Sequence, residues 1–403
     1  MPARQRPPPS NLPTESNFCS VGNARIMLHD MRSPGQPNWS SGPTRDREVD
    51  KRDHYAALDG LRGFAAVSVV LFHLGHWLHA PWLATNSDLA VDLFFCLSGF
   101  VLPLAYEQRL STNLSTVQFL RIRLIRLMPL IVLATIISAL YVLFRWHVNH
   151  SPHADGELLL ATFLGVIDVP FISASSAIGG PEVFPLNGPQ YSLFLEVVAN
   201  VFWCFSRRFF QPWSSLAIFA GCFVFLPIFG LGGDEAATFW TGFPRVGVSF
   251  FAGVLVYSFE RRFLRETDLR PVFWLSVAVV TIIFYYPGFL PLSVHLAWIV
   301  FISPLVVLAG SRVRLSGSLS SIALLGGALS YPIYALHYPI FCWLNGFYQF
   351  ATKNPQSIFI EGPLLLAGIV LGSYGVLRCF DEPVRSALTQ AAWLPGGNKT
   401  AKA

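Results

Sequence analysis

From Leu58 onward, apolar runs of roughly 17–22 residues recur along the chain, the length an α-helix needs to cross the hydrocarbon of a bilayer. Lipid offers no partner to an exposed backbone N–H or C=O, so runs of this kind are helices. The expected spans are 58–79, 88–106, 128–146, 189–205, 214–231, 242–258, 271–287, 293–309, 322–348 and 359–379. Composition agrees. Residues are 53% hydrophobic and only 13% charged, against about 25% charged in a soluble domain. A disordered chain, a coiled coil and an ordinary soluble enzyme are excluded. The expected fold class is an all-α integral membrane protein, a bundle of about ten transmembrane helices. The six cysteines form no CxxC pair and no short framework, so neither a zinc ribbon nor a disulfide scaffold is expected.

Three regions follow. Residues 1–57 are polar, basic and Pro/Ser-rich, and read as a disordered cytosolic arm. No apolar core follows its first charges, so no signal peptide is expected. Residues 58–385 form the membrane domain, and 386–403 a short cytosolic tail. Ten spans put both termini on one side. Of the 28 lysines and arginines, 24 fall in the arm, the tail or the loops of that side. This is the positive-inside pattern, and it predicts both termini in the cytosol. The net charge of +5 therefore reads as membrane topology, not nucleic-acid binding. Segment 158–173 is apolar enough to enter the membrane. A full crossing would turn the later arginine-bearing loops outward, so it is expected to be re-entrant or interfacial.

Charges inside a bilayer are costly, and each is a candidate functional residue. Arg62 and His73 are eleven residues apart, within about 20° of three full helical turns. They share one face, about 16 Å apart along the axis. Arg62 alone could be a snorkelling anchor, and His73 a helix-packing hydrogen bond. His73 could equally exchange a proton near neutral pH. His76 and His79 continue the series, but the third histidine has rotated off the face, so no metal site is expected. Asp92 could be a helix N-terminal carboxylate favoured by the dipole, yet it lies at a depth that reaches His73. Ser98 and Gly99 read as close helix packing. Arg123 and Arg126, at i, i+3 on a short helix or turn, could clamp phosphate oxygens bidentately. In PLNGPQYSLFLEVVANVFW, Asn187 opens a turn before a helix. Glu196 then lies about 10 Å inside the outer edge, facing the protein interior. Arg245 is a natural partner for Glu196 or Asp92, and His337 falls in the outer half of its span. The residues alone suit two chemistries: a proton-coupled transporter, or transfer from a phosphate-rich cytosolic donor through a deep proton-transfer centre.

The ordered motifs decide between them. LDGLRGFAAVSVVLFH with Arg62–x10–His73, VDLFFCLSGFVL, Arg123–x–x–Arg126, NGPQYSLFLE, SYPIYALHYPI and FDEPVRSAL together resemble the membrane acyltransferase-3 family, the O-acyltransferases of glycans, over about 58–385. Tyr191 stands where that family usually has Trp, one aromatic for another. The resemblance implies acyl-CoA, commonly acetyl-CoA, as cytosolic donor. It implies His73 as the catalytic residue with Arg62 its partner, and Arg123 and Arg126, with Arg62, as contacts to CoA. Glu196 supports the site or the acceptor. A neutral His73 imidazole could take the proton of an acceptor hydroxyl, with Asp92 or Glu196 orienting it; an acyl-imidazole intermediate is also compatible. Arg245, His337 and Asn187 are expected on the acceptor side. The acceptor would be a glycan or lipid-linked glycan. Without the fused SGNH domain of some members, transfer would be direct or through an extracytoplasmic partner protein. Most chains of this kind sit in a bacterial inner membrane.

Overall fold

The computed structural model describes residues 55–150, 153–207, 212–263, 268–352 and 357–393. The arm expected over 1–57 lies outside them up to residue 54, as does the tail beyond 393. Eleven helices organise the described residues: α1 (Ala56–Trp77), α2 (Ala90–Thr112), α3 (Thr116–Asn149), α4 (Asp155–Val166), α5 (Gln190–Ser206), α6 (Pro212–Phe229), α7 (Gly242–Phe263) and α8 (Arg270–Phe284). They continue with α9, formed by Leu292–Ala297, a π turn at Trp298–Ile302 and Ser303–Gly310. Next come α10 (Gly317–Thr352) and α11, formed by Glu361–Val376, a π turn at Leu377–Asp381 and Glu382–Trp393. Among the described residues the only β pairing is one isolated bridge, Glu182 to Glu235.

A helix lies over each of the ten expected runs. Seven of them are long and apolar enough to cross a membrane, and the chain is an all-helical integral membrane protein. α6 and α8 are shorter apolar helices, and α5 has 17 residues. Several helices overrun the expected spans, α2 and α7 by five or six residues at their C-terminal ends. α3 starts twelve residues early because LSTVQ supplies a capping box: Gln118 N donates to Ser115 Oγ (3.2 Å) and Ser115 N to Gln118 Oε1 (2.9 Å). Arg121, Arg123 and Arg126 therefore stand on a continuous helix rather than a short turn. α10 reaches Thr352, and α11 reaches Trp393, past the expected domain end at 385.

The central contact joins α1 and α10, which run parallel and in register. Gly60 faces Ala323, Gly63 faces Gly326, His73 faces His337 and Trp77 faces Phe341. Small residues let the two backbones meet at the basic end, and aromatic rings fill the wider gap beyond. α3 also runs parallel to α10: Tyr331 Oη donates to Leu127 O (2.5 Å), and Trp343 Nε1 to Ile137 O (3.1 Å). α2 and α7 cross closely through Gly99, against Phe250 O, and Gly253, against Cys96 O.

The segment expected to be re-entrant dips into the bundle. α4 runs back along α3 until Gly165 packs on Thr135, fourteen residues below Asn149, or about 20 Å of helix rise. Arg145 Nη2 (2.7 Å) and Trp146 Nε1 (3.0 Å) both donate to Ala177 O and tie the returning loop to α3. At the bottom, Gln190 Nε2 donates to Gly165 O (2.8 Å) and Asp168 Oδ1 (3.0 Å). α5 thus starts at mid-bundle, which is why it is short.

At the α2–α7 crossing, Gly99→Ala is expected to destabilise the protein by about 1–3 kcal/mol through overpacking. Gly221→Ala, inside α6 and with nothing within 4 Å of the new methyl, should not lower the melting temperature and can raise it slightly by helix propensity. Thermal unfolding of detergent-solubilised protein compares the two.

Candidate active site

One cavity opens from the basic end between α1, α2, α3, α5 and α10. It encloses about 700 Å³, its open mouth included. Three guanidiniums line it: Arg62 from the first turns of α1, and Arg123 and Arg126 from the capped start of α3. Arg123 is buried; its Nη2 donates to Glu196 Oε1 (3.0 Å), and its Nε has no partner. Ser98 Oγ donates to the same Glu196 oxygen (3.1 Å). Arg62 has Asp59, at 3.7 Å, on its own helix. Arg126 pairs with no carboxylate among the described residues. Three cations here face two carboxylates, and one buried N–H is unmet. Planar guanidiniums bind phosphate oxygens through paired N–H groups, so a phosphate group fits these residues.

The far wall of the cavity carries Ser192, Ser330, Tyr331 and Tyr334. Tyr334 Oη and Ser192 Oγ are hydrogen-bonded (2.5 Å). The Tyr334 ring packs on Phe94 (centroids 5.4 Å apart) and on His337 (5.9 Å), one turn further along α10. His73 lies just beyond this wall. Its ring stands 5.1 Å from His337 and 5.1 Å from Trp77, and Trp77 stacks on Phe341 at 4.1 Å. Aromatic rings thus flank both imidazoles. His337 is fully buried and His73 partly exposed. His76 and His79 are exposed and do not join them.

The expected cluster of His73, Asp92, Glu196, Arg245 and His337 at one depth is not what forms. His73 meets His337 and Asp92 meets Arg245, but the two pairs do not join, and Glu196 lies with neither. Glu196 sits with the arginines, because α5 begins at mid-bundle and six further residues carry the carboxylate about 9 Å towards the basic end. Asp92 does not reach His73. It is fully buried against α7, where Arg245 Nε (2.9 Å) and Nη2 (2.7 Å) and Ser249 Oγ (2.9 Å) donate to its two oxygens. Asp88 O and Oδ2 lie 3.5 and 3.7 Å from the same Arg245. Arg245 is therefore committed to a buried ion pair and presents little to a substrate. Asn187 Nδ2 donates to Ala335 O (3.3 Å), a carbonyl freed because Pro339 has no N–H. Its Oδ1 is unpartnered.

Sequence reasoning missed Tyr334, Tyr331, Ser330, Ser192 and Trp77. Each was within reach of helical counting. Tyr334 and Ser330 precede His337 at i−3 and i−7, and Trp77 follows His73 at i+4.

The fold and site define a helical membrane protein with an arginine-lined cavity beside a histidine pair. The chain belongs to the acyltransferase-3 family, whose model, described as an acyltransferase domain, matches residues 55–378. It is thus an acyltransferase, which decides against the transporter. Among curated proteins it is similar to protein 2 in the picA locus of Rhizobium radiobacter, 35% identical over 163 residues, 37% of this chain and 80% of that one. It is also similar to O-acetyltransferase OatA of Staphylococcus aureus, 36% over 74 residues, 18% of this chain and 11% of that protein. Peptidoglycan O-acetyltransferase OatA of Listeria monocytogenes is 30% identical over 114 residues, 28% of this chain and 17% of that protein. The chain spans most of the Rhizobium protein and a small part of the other two. No solved structure matches it.

Truncating one partner of the Asp92–Arg245 pair strands a buried charge and is expected to cost about 3–5 kcal/mol. Arg245→Met should therefore lower the melting temperature sharply, and the Asp92→Leu/Arg245→Met double variant should recover part of the loss. A double variant no more stable than Arg245→Met would show that the pair's charges are not what holds α2 to α7.

Proposed function

We propose that the protein is a membrane O-acyltransferase that moves an acyl group, acetyl in the common case, from cytosolic acyl-CoA to a hydroxyl of a glycan or lipid-linked glycan across a bacterial inner membrane. The observation that carries this reading is the placement of the arginine cavity one helical turn from the His73–His337 pair. Arg123 and Arg126, with Arg62, hold the CoA phosphates at the cytosolic end. From a diphosphate phosphorus to the sulfur, pantetheine has 13 covalent bonds. At about 1.2 Å of extended length each, the arm is about 16 Å long. Arg62 and His73 are eleven residues apart on one helix face, also about 16 Å. A donor anchored on the arginines thus delivers its thioester to His73, once the Tyr334 side chain gives way.

His73 acts as general base. Its neutral imidazole takes the proton of the acceptor hydroxyl as the oxygen attacks the thioester carbonyl. The tetrahedral intermediate then expels the CoA thiolate, and the imidazolium returns the proton to that sulfur. Glu196 orients Arg123 and offsets its charge. Asp92 and Arg245 hold α2 against α7 rather than joining the chemistry. Asn187, with a free acceptor oxygen beside the re-entrant α4, lies on the acceptor side. The name of the Listeria relative makes peptidoglycan one glycan to try first.

The test uses membrane vesicles holding the intact protein or His73→Ala at matched abundance, with acetyl-CoA labelled in the acetyl group. Label in glycan or lipid-linked glycan fractions that disappears in His73→Ala is the expected result. Equal labelling by both proteins would remove His73 from the chemistry.

A further inference from the structure

We propose that His337 is the positioning residue of the catalytic centre: a neutral imidazole of fixed tautomer that accepts a hydrogen bond from His73 and so does what a carboxylate does in a Ser–His–Asp site. The proposal rests on His73 being the base.

Three observations carry it. First, the His337 tautomer is set by its own helix. Nδ1 lies 2.7 Å from Tyr334 O and 3.3 Å from Ile333 O. A carbonyl can only accept, so Nδ1 carries the hydrogen and Nε2 is left as a lone pair. Second, that lone pair is unmet. His337 is fully buried, and Nε2 has no hydrogen-bond partner. Buried polar atoms are rarely left so, and exceptions concentrate where chemistry occurs. Third, the ring facing His337 is His73, at 5.1 Å between centroids and 32° between planes. Two ring radii of about 1.1 Å plus an N–H···N separation of about 2.9 Å come to about 5 Å. The pair is therefore spaced for one hydrogen bond between imidazoles, needing only rotation of the partly exposed His73 ring.

The carboxylates that sequence reasoning offered for this task are both engaged elsewhere. Asp92 is bound by Arg245 and Ser249, and Glu196 by Arg123 and Ser98. With His337 accepting from one nitrogen of His73, the other nitrogen must present its lone pair to the acceptor hydroxyl. His337 gains no proton in the cycle: the proton passes from hydroxyl to His73 to departing sulfur. A neutral acceptor also avoids burying a carboxylate beside Trp77 and Phe341, where desolvation is costly. This role differs from the substrate contact expected of His337 from sequence. A fully buried ring whose one free nitrogen is unmet, with the His73 ring its nearest aromatic neighbour, acts through that neighbour.

The experiment follows CoA release from acetyl-CoA by the full chain in membrane vesicles. It compares wild type, His337→Leu, His337→Gln and His73→Ala. His337→Leu, which has no acceptor, should lose roughly 100-fold in kcat while KM for acetyl-CoA stays within about twofold. His337→Gln, which can place an amide oxygen near the Nε2 position, should keep at least about a tenth of wild-type kcat. A leucine variant within about threefold of wild type, or glutamine and leucine variants equally impaired, would overturn the proposal. If the leucine variant does not fold, His337→Asn replaces it. Its shorter amide cannot reach the Nε2 position, so asparagine matching glutamine would overturn the proposal too. His73→Ala separates the two levels. An active His73→Ala overturns the underlying reading, whereas a dead His73→Ala beside an active His337→Leu overturns only the role of His337.

Discussion

The parallel, in-register packing of α1 on α10 is the contact on which the rest of the site depends. Gly63 meets Gly326 so closely that a Cβ there would stand 2.7–2.9 Å from its backbone, and one on Gly60 would press on Ala323 Cβ at 3.2 Å. Without a hydrophobic driving force between helices in lipid, such close packing is what sets their register. The register then fixes everything eleven residues on. The pairing that puts Gly63 on Gly326 also puts His73 on His337 and Trp77 on Phe341. Helix rise alone then sets about 16 Å along α1 between Arg62 and His73.

Charge is handled differently at the two ends. At the basic end the cations outnumber the carboxylates around the cavity, and Arg123 Nε is left unmet. Deeper in the bundle, charge is neutralised: Arg245 and Asp92 satisfy one another, and no carboxylate among the described residues pairs with either histidine. The basic end is thus cationic, while the surroundings of the histidine pair are apolar and aromatic. Low polarity around a base strengthens its hydrogen bonds and excludes competing water. Tyr334 lies where the two regimes meet, its hydroxyl on Ser192 at the cavity wall and its ring on His337.

Much of this was legible in the sequence, and the failures have definite causes. Apolar run length located the helices, because lipid leaves the backbone no alternative. The Arg62–x10–His73 spacing gave a shared face, because helix geometry is nearly invariant. The depth assignment for Glu196 failed for a different reason. It assumed that each helix starts at the membrane edge, whereas the loop bearing Asp168 folds inward and starts α5 at mid-bundle. Which of two nearby carboxylates an arginine takes is a matter of tertiary contact, so Arg245 could not be assigned from its own neighbours. Ser115 and Gln118 did carry a readable capping box, and it explains why the arginines stand on a rigid helix.

The most direct measurement is an experimental structure of the full chain with a non-hydrolysable acetyl-CoA analogue bound. The expected result has phosphate oxygens within about 3 Å of the Arg123 or Arg126 guanidinium, with Arg123 Nε satisfied. The pantetheine arm should run along the Arg62 face of α1 with its terminal carbonyl beside the His73 ring. Phosphates bound away from these arginines, or an arm ending far from His73, would contradict the coupling of cavity to histidine on which the proposed mechanism stands.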